Sequence, residues 1–178
     1  MDYLNKMKEV IEKYFKKEDS LKAEIKRIED KYSNLIDKTG LSEEVAAVET
    51  KIAAANKKAI EDIRNIVSEG EAALREWGRP TGEKIKDIGI LQLDLTENEI
   101  IDLLDYHKDN PVMIKELQSY AKNKGYNKAA YTGYETAETK IEKLKEIEGY
   151  IVRGLEVEDG YLRAYIKNSE ALNKLLGL

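Results

Sequence analysis

The chain has no cysteine, and its 178 residues include one histidine, two prolines and one phenylalanine. The lack of cysteine excludes disulfides, thiolate metal sites and cysteine nucleophiles. A single histidine leaves few of the familiar nucleophile–base pairs. No apolar run approaches the ~18 residues of a membrane span, and the first residues lack the apolar region of a signal peptide. We therefore expect a cytoplasmic, non-enzymatic protein with no cofactor, no metal and no membrane partner.

The acidic excess is concentrated in the middle of the chain. The net charge is −5, and residues 80–110 contain eight acidic and three basic side chains, whereas the segments on either side are almost neutral. This balance is not that of a nucleic-acid-binding chain as a whole. The acidic segment suggests a third-ranked hypothesis, an inhibitor that imitates nucleic acid and blocks a nucleic-acid-processing complex.

Apolar residues in the first 35 positions repeat with the spacing of a coiled coil. The stripe consists of Leu4, Met7, Ile11, Tyr14, Leu21, Ile25, Ile28, Tyr32 and Leu35. Glu18 is the one stripe position that is not apolar. The pattern predicts a helix over about 2–38, with Asp2 as its N-cap and Gly40 in the left-handed position beyond its end.

A second long helix is predicted from Ser42, its expected N-cap, to about Trp77. The short connection at 38–41 indicates that the two helices return antiparallel as a hairpin. The apolar stripe of the second helix shifts by one position along its length, because a straight helix drifts ~20° per heptad. The resulting face is too wide for one partner, so we expect further helices to pack on it, from another subunit or from the C-terminal half. The candidate packing residues are Ile52, Ala59, Ile60, Ile63, Val67, Leu74 and Trp77.

The glycine- and proline-containing run after Trp77 is the clearest boundary in the sequence. It predicts a mainly α fold that consists of a coiled-coil hairpin at 1–78, a hinge at 79–83 and a compact, mostly helical domain at 84–178. Residues 78–84 partly match a phosphate-binding loop, but that loop requires a preceding strand. We therefore interpret the run as a hinge.

Cap signals place the helices of the C-terminal domain. They predict helices at 97–107 (Thr96 and Glu99 as a capping box), 111–124 (Asn110 as N-cap), about 133 to at least Glu148 (Thr132 and Glu135) and 159–176 (Asp159). Alternating leucines at 91–95 predict a short extended segment. Residues 150–157 either continue the preceding helix or pair with that segment as a small two-stranded element.

His107 lies between Asp105 and Asp109 at alternate positions of a predicted helix. Side chains at alternate positions of a helix do not converge on one ion, so these residues do not predict a metal site. We expect a solvated histidine near the C-terminus of the helix, where the helix dipole favours its cationic form.

Residues 117–134 contain no acidic side chain, and lysines alternate there with tyrosines. The candidate patch for an anionic partner is Lys122, Lys124, Tyr126, Lys128, Tyr131 and Tyr134. Basic groups interleaved with aromatic rings can hold phosphates and stack bases. Residues 111–134 thus support a second hypothesis, a nucleic-acid-binding or regulatory factor. The other interpretations are a loop whose tyrosines fill a small core, and a surface for an anionic protein.

Two resemblances add to these expectations. The run 115–126 is similar to a helix of SAP-type DNA-binding modules, which supports the second hypothesis. In composition and predicted layout the whole chain resembles the small helical scaffolding and accessory proteins of tailed bacteriophages. That resemblance implies a structural or assembly protein, in the host cytoplasm or the virion, that self-associates or binds another protein through its hairpin. It agrees with the first hypothesis drawn from the heptads.

Overall fold

A computed structural model describes residues 3–35, 38–156 and 160–177 of the protein. These residues are mainly helical and contain no strand, so the predicted mainly α class is confirmed. The helices are α1 (Tyr3–Ser33), α2 (Leu41–Trp77), α3 (Gly82–Ile85), a 3₁₀ helix (Ile88–Gln92), α4 (Glu97–Tyr106), α5 (Pro111–Lys124), α6 (Asn127–Ala130), α7 (Ala137–Leu155), α8 (Gly160–Lys167) and α9 (Ser169–Leu176).

The chain divides into two compact units, each of which is described by itself below. The first contains residues 1–68 and 145–178, and the second contains residues 69–144. Residues 145–178 belong to the first unit because α8 and α9 contact α1. The predicted boundary at 79–83 does not follow this grouping, and it stays a prediction of where independently folding domains begin and end.

In the first unit, α1 and α2 contact one another near the loop that connects them. Lys51 Nζ lies 3.3 Å from Glu24 Oε1, and Lys31 Nζ lies 2.9 Å from Glu44 Oε1. The Tyr32 hydroxyl donates a 2.7 Å hydrogen bond to the same Glu44 oxygen. Residues closer to the loop on α1 meet residues closer to the loop on α2, which is the order expected for antiparallel pairing.

The C-terminal helices of the first unit pack on this pair. The Asn56 side chain of α2 donates a 2.7 Å hydrogen bond to the carbonyl oxygen of Leu155 at the end of α7. Arg64 lies 3.8 Å from Glu156, just beyond that end. Helices from the C-terminal half of the same chain thus contact both α1 and α2.

The loop between α1 and α2 begins earlier than the sequence predicted, because α1 ends at Ser33 and not near residue 38. The Ser33 hydroxyl donates to the carbonyl oxygen of Asp30, a local bond that competes with helix continuation. Gly40 adopts φ +94°, which confirms its left-handed conformation. Helix α2 then begins at Leu41, so Ser42 lies inside its first turn and is not its N-cap.

In the second unit, α4, α5 and α6 surround an apolar core made of Leu95, Ile100, Leu104, Met113, Ile114, Leu117, Ala121, Ala129 and Ala130. The predicted cap signals of α4 and α5 are confirmed. Thr96 and Glu99 form the capping box of α4, and the Asn110 side chain accepts from the Met113 amide at the start of α5. Gly125 ends α5 with φ +76°.

The predicted extended segment at 91–95 is wrong, and of the two alternatives left open for 150–157 the described residues show the continued helix. Residues 88–92 form a 3₁₀ helix, and α7 remains helical to Leu155. The Tyr120 hydroxyl donates to the carbonyl oxygen of Leu93 and accepts from the amide of Leu95. One side chain thereby satisfies backbone groups that a strand would have paired.

The second predicted capping box is also misplaced, because α7 begins at Ala137 and not near residue 133. Thr136 caps it, with its hydroxyl oxygen 3.2 Å from the Thr139 amide. The Thr132 hydroxyl instead accepts a hydrogen bond from the Gln118 side chain. The spacing in the sequence did not show which threonine, Thr132 or Thr136, caps α7.

The predicted final helix at 159–176 is two helices, α8 and α9, that meet at Asn168. The Asn168 side-chain oxygen accepts hydrogen bonds of 3.0 Å from the amides of Glu170 and Ala171, and so caps α9. Because the backbone of Asn168 is extended, α8 ends before this residue. The predicted caps Asp2 and Asp159 lie outside the described residues.

Candidate functional site

The one break in the heptad stripe of α1 is a buried charge that binds α8. Glu18 is 3% exposed, and its carboxylate lies 2.5 Å from Nη2 of Arg163. The same guanidinium nitrogen donates a 2.9 Å hydrogen bond to the Tyr14 hydroxyl. The central guanidinium carbon of Arg163 lies 5.3 Å from the Phe15 ring centre. Lys22 Nζ lies 2.8 Å from Glu18 Oε1, the same carboxylate oxygen that Arg163 contacts. We call these residues the charge cluster.

Electrostatics within the charge cluster hold Glu18 ionised. Burial acts to raise the pKa of Glu18, but hydrogen bonds from Lys22 and Arg163 outweigh it and leave the pKa below the ordinary 4.5. A buried ion pair adds little net stability over apolar packing, yet loss of one partner leaves an uncompensated charge and costs about 3–5 kcal/mol. The cluster therefore fixes which helix covers this part of α1.

Nearer the loop, the same two long helices leave their apolar stripe partly open. Ile25, Ile28, Val45 and Ile52 are half-buried, and Leu35 is 47% exposed. We call these five residues the loop-proximal seam. By contrast, Met7 and Ile11 on the same stripe of α1 are fully buried. An apolar stripe left partly in water is the kind of surface that another helix covers.

The residues predicted to pack in the hairpin have different environments. Ala59, Ile63, Val67 and Leu74 are buried, whereas Ile52, Ile60 and Trp77 are half-buried. Lys140 of α7 lies over the Trp77 ring, 4.4 Å from its centre. Of the predicted set, Ile52 belongs to the loop-proximal seam.

The predicted patch for an anionic partner lies in the second unit, and its lysines are unevenly available. Lys124 forms a 2.7 Å ion pair with Asp94, whereas Lys122 lies 5.7 Å from the ring centre of Tyr131. Tyr131 is 77% exposed. Lys128 is exposed and Tyr126 half-buried.

The third tyrosine of that patch is bonded to the acidic segment, because the Tyr134 hydroxyl donates a 2.9 Å hydrogen bond to Asp105. Other carboxylates of residues 80–110 also have internal partners. Glu99 caps its own helix, and Glu97 accepts from the amides of Lys128 and Ala129 at the start of α6. These carboxylates stabilise helix ends and do not form a uniform acidic surface.

The run that partly matched a phosphate loop folds as the end of one helix and the start of another. Thr81 caps α3, and its acceptor bond from the Lys84 amide is 3.4 Å long. The Lys84 ammonium donates to the carbonyl oxygens of Glu76, Trp77 and Arg79. Because it satisfies the C-terminal carbonyls of α2, this lysine is not directed at a phosphate site.

The expectation of a solvated His107 is wrong. The residue is 7% exposed and packs edge-to-face against Tyr106, with ring centres 4.8 Å apart. Its Nε2 lies 3.9 Å from the carboxylate of Asp87, which precedes the 3₁₀ helix. Within the described ranges, no three His, Cys, Asp or Glu residues form a group suited to a metal ion.

Over the described part of the chain, no helix is both long and apolar enough to cross a membrane. No protein-family model, curated protein or solved structure matches the chain.

Proposed function

We propose that the protein is a non-enzymatic assembly or protein-interaction protein whose α1 and α2 form an antiparallel hairpin that self-associates. The loop-proximal seam is the observation that carries this proposal. Ile25 and Ile28 belong to the stripe of α1, Val45 and Ile52 to that of α2, and Leu35 follows the end of α1. The described part of the chain leaves all five half-buried or exposed. A second copy presents the same stripe, so two seams can pack on one another with two-fold symmetry.

Ion pairs beside the seam support the antiparallel hairpin of this proposal. Lys31 pairs with Glu44 and Lys51 with Glu24, each between α1 and α2. These pairs lie at the sides of the apolar stripe, where a coiled coil places the charges that select partner and orientation. An assembly role of the kind found in bacteriophage scaffolding proteins, in the host cytoplasm or virion, is the biological form that we propose for this self-association.

Light scattering on the size-exclusion eluate tests the proposal. We expect the wild-type chain to elute as a dimer or larger species, and the double variant Ile28→Glu/Leu35→Glu to shift to the monomer mass. The control Ser20→Glu/Ala23→Glu adds the same charge to exposed positions of α1 outside the stripe. A wild-type monomer at the highest accessible concentration, or equal loss of association in both double variants, would contradict self-association through the seam.

Nucleic-acid binding through residues 111–134 is the second candidate. The observation in its favour is the exposed Tyr131 ring with the Lys122 ammonium above it, an arrangement that suits a stacked base and its phosphate. The ion pair between Lys124 and Asp94 reduces the positive charge available there. A gel shift at low and moderate salt tests this candidate. Salt-sensitive binding that Lys122→Glu/Lys124→Glu abolishes would favour it over assembly.

A further inference from the structure

The two sides of the loop-proximal seam differ in how their charges are used. On one side, Glu24 and Lys31 each stand one position before a residue of the α1 stripe. Glu24 pairs with Lys51 of α2, and Lys31 pairs with Glu44. Ion pairs within the chain therefore bridge this side of the seam.

The other side of the seam is open. Helical spacing of three and four positions places four residues of α1 and three of α2 along it. All seven are exposed, and we call them the open flank: Lys22, Lys26, Glu29, Ser33, Ala46, Glu49 and Ala53.

Nearer the N-terminus of α1, helix α8 already covers the same side. Phe15 and Asp19 continue the spacing of the open flank towards the N-terminus. Lys167 of α8 forms a 2.6 Å ion pair with Asp19 and lies 5.6 Å from the centre of the Phe15 ring. The open flank is therefore the continuation of a surface on which a helix already packs.

Two opposite charges of the open flank are unused within the chain. Lys26 and Glu29 are three positions apart, and across the described ranges neither forms an ion pair. A second α1 that runs in the opposite direction brings its Glu29 to Lys26 and its Lys26 to Glu29, as a two-fold axis requires. A second α1 that runs in the same direction places like charges on one another, and these repel.

The position of α8 also favours an opposite orientation of the two hairpins. If both loops lay at the same end, α8 of both copies would lie between the hairpins at the same level. A helix is about 10 Å thick, whereas the axes of packed helices are only about 8–10 Å apart. With the loops at opposite ends, the two α8 helices lie at opposite ends of the overlap, and the open flanks can meet.

From these observations we infer that two copies of the chain pair antiparallel through their open flanks, about a two-fold axis near residues 27–28 of α1. Lys26 of each copy pairs with Glu29 of the other, and Lys22 lies opposite Ser33. This inference rests on the proposed function, because it assigns the surface and the orientation of that self-association. The overlap along α1 is about 17 Å long at 1.5 Å per residue.

Disulfide formation between two single-cysteine variants tests the orientation, because the wild-type chain has no cysteine to interfere. Equal amounts of full-length Lys22→Cys and Ser33→Cys are mixed, allowed to exchange subunits and oxidised. Intact-mass spectrometry separates the mixed disulfide from the two homodisulfides. We expect the mixed product to exceed either homodisulfide at least fivefold, whereas random collision gives a twofold excess. A smaller excess, or a majority of Ser33→Cys homodisulfide, would overturn the orientation.

A matched pair of charge reversals tests which helix of the second copy Lys26 faces. Glu29→Lys and Glu49→Lys each reverse an exposed carboxylate that forms no ion pair with any other described residue. In the antiparallel pair, position 49 faces the uncharged Ser42 and Ala46 of the second copy. We expect sedimentation equilibrium at low salt to show association weakened at least fivefold by Glu29→Lys and less than twofold by Glu49→Lys. Equal weakening would place Lys26 against α2 of the second copy and overturn the inference.

The same experiments separate a failure of the orientation from a failure of the proposed function. Wild-type protein that stays monomeric in sedimentation would contradict self-association, and this inference would fall with it. A wild-type dimer with excess Ser33→Cys homodisulfide, or with equal sensitivity to the two charge reversals, would contradict the antiparallel pairing alone.

Discussion

The two halves of α1 carry the same heptad stripe but have different surroundings. In the N-terminal half, Met7 and Ile11 are fully buried, and Glu18 pairs with Arg163 of α8. In the half next to the loop, Ile25 and Ile28 remain half-buried. A heptad stripe therefore determines which face of a helix is covered, but not what covers it.

Polar residues determine which element packs on each half of the stripe. In the N-terminal half, the acidic side chain that interrupts the stripe needs a buried cation, which α8 supplies. Next to the loop, the Tyr32 hydroxyl and Lys31 both bind Glu44, so the polar contacts there join α1 to α2. The following predictions test this division, from the largest expected effect to the smallest.

We expect Arg163→Met to lower the free energy of unfolding by about 3 kcal/mol, because it removes the largely buried cation that pairs with Glu18 and leaves only the exposed Lys22 beside the buried carboxylate. Urea unfolding followed by circular dichroism measures this loss. The double variant Glu18→Leu/Arg163→Met completes the apolar stripe and removes both charges, so we expect it to recover most of the stability. A double variant as unstable as the single one would show that the pair is not what couples α1 to α8.

Two glycines of α7 give a matched pair of tests of how closely α8 packs in the same unit. A methyl group at Gly154 would lie 2.7 Å from Ile166 Cδ1 and 3.1 Å from the Leu162 carbonyl oxygen, whereas one at Gly149 meets nothing within 4 Å. We expect Gly154→Ala to destabilise the protein by about 1–3 kcal/mol. Gly149→Ala should stabilise it by up to about 1 kcal/mol through helix propensity. Effects of equal sign in thermal unfolding would argue against the close contact.

In the half of α1 next to the loop, Tyr32→Phe removes the hydrogen bond to Glu44 and should lower stability by about 0.5–1.5 kcal/mol. Tyr131→Phe, at an exposed ring of the second unit, is the control and should have no measurable effect. Chemical denaturation of both variants provides the comparison. A loss as large as that of Arg163→Met would mean that the two halves of α1 do not differ as described.

The smallest expected effect is the acid dependence of the charge cluster. Because the pKa of Glu18 is lowered by folding, its contribution is complete above the unfolded value near 4.5 and is lost as the pH falls through the lower folded value. We expect wild-type stability to decline below pH 4.5 more steeply than that of Glu18→Leu/Arg163→Met. Parallel pH profiles of the two proteins would contradict a lowered pKa at Glu18.

Local signals in the sequence predicted much of the helical structure. The heptads predicted α1, the capping box at Thr96 predicted α4, and Asn110 with Gly125 predicted both ends of α5. These features depend on residues within a few positions of one another. The errors at 91–95 and 132 came from side chains of α5, Tyr120 and Gln118, that bind the backbone or hydroxyl of another segment.

The contacts at the candidate sites could not be predicted from the sequence, because the residues that contact one another there are far apart in the chain. Glu18 was visible as a break in the stripe, and that break was the available signal for a buried pair. Its partner Arg163 is 145 positions away and had no distinguishing pattern. Likewise, the sequence predicted a solvated His107, whereas the residue is buried and the nearby carboxylate belongs to Asp87, 20 positions earlier.

Hydrogen exchange along α1, followed by mass spectrometry at low and high protein concentration, tests the central claim most directly. We predict slow, concentration-independent exchange around residues 7–21, which α8 and α9 cover within one chain. Around residues 25–33 we predict faster exchange that slows as the concentration rises and seams pair between chains. Uniform protection of α1 at both concentrations, or concentration dependence confined to residues 7–21, would contradict the account.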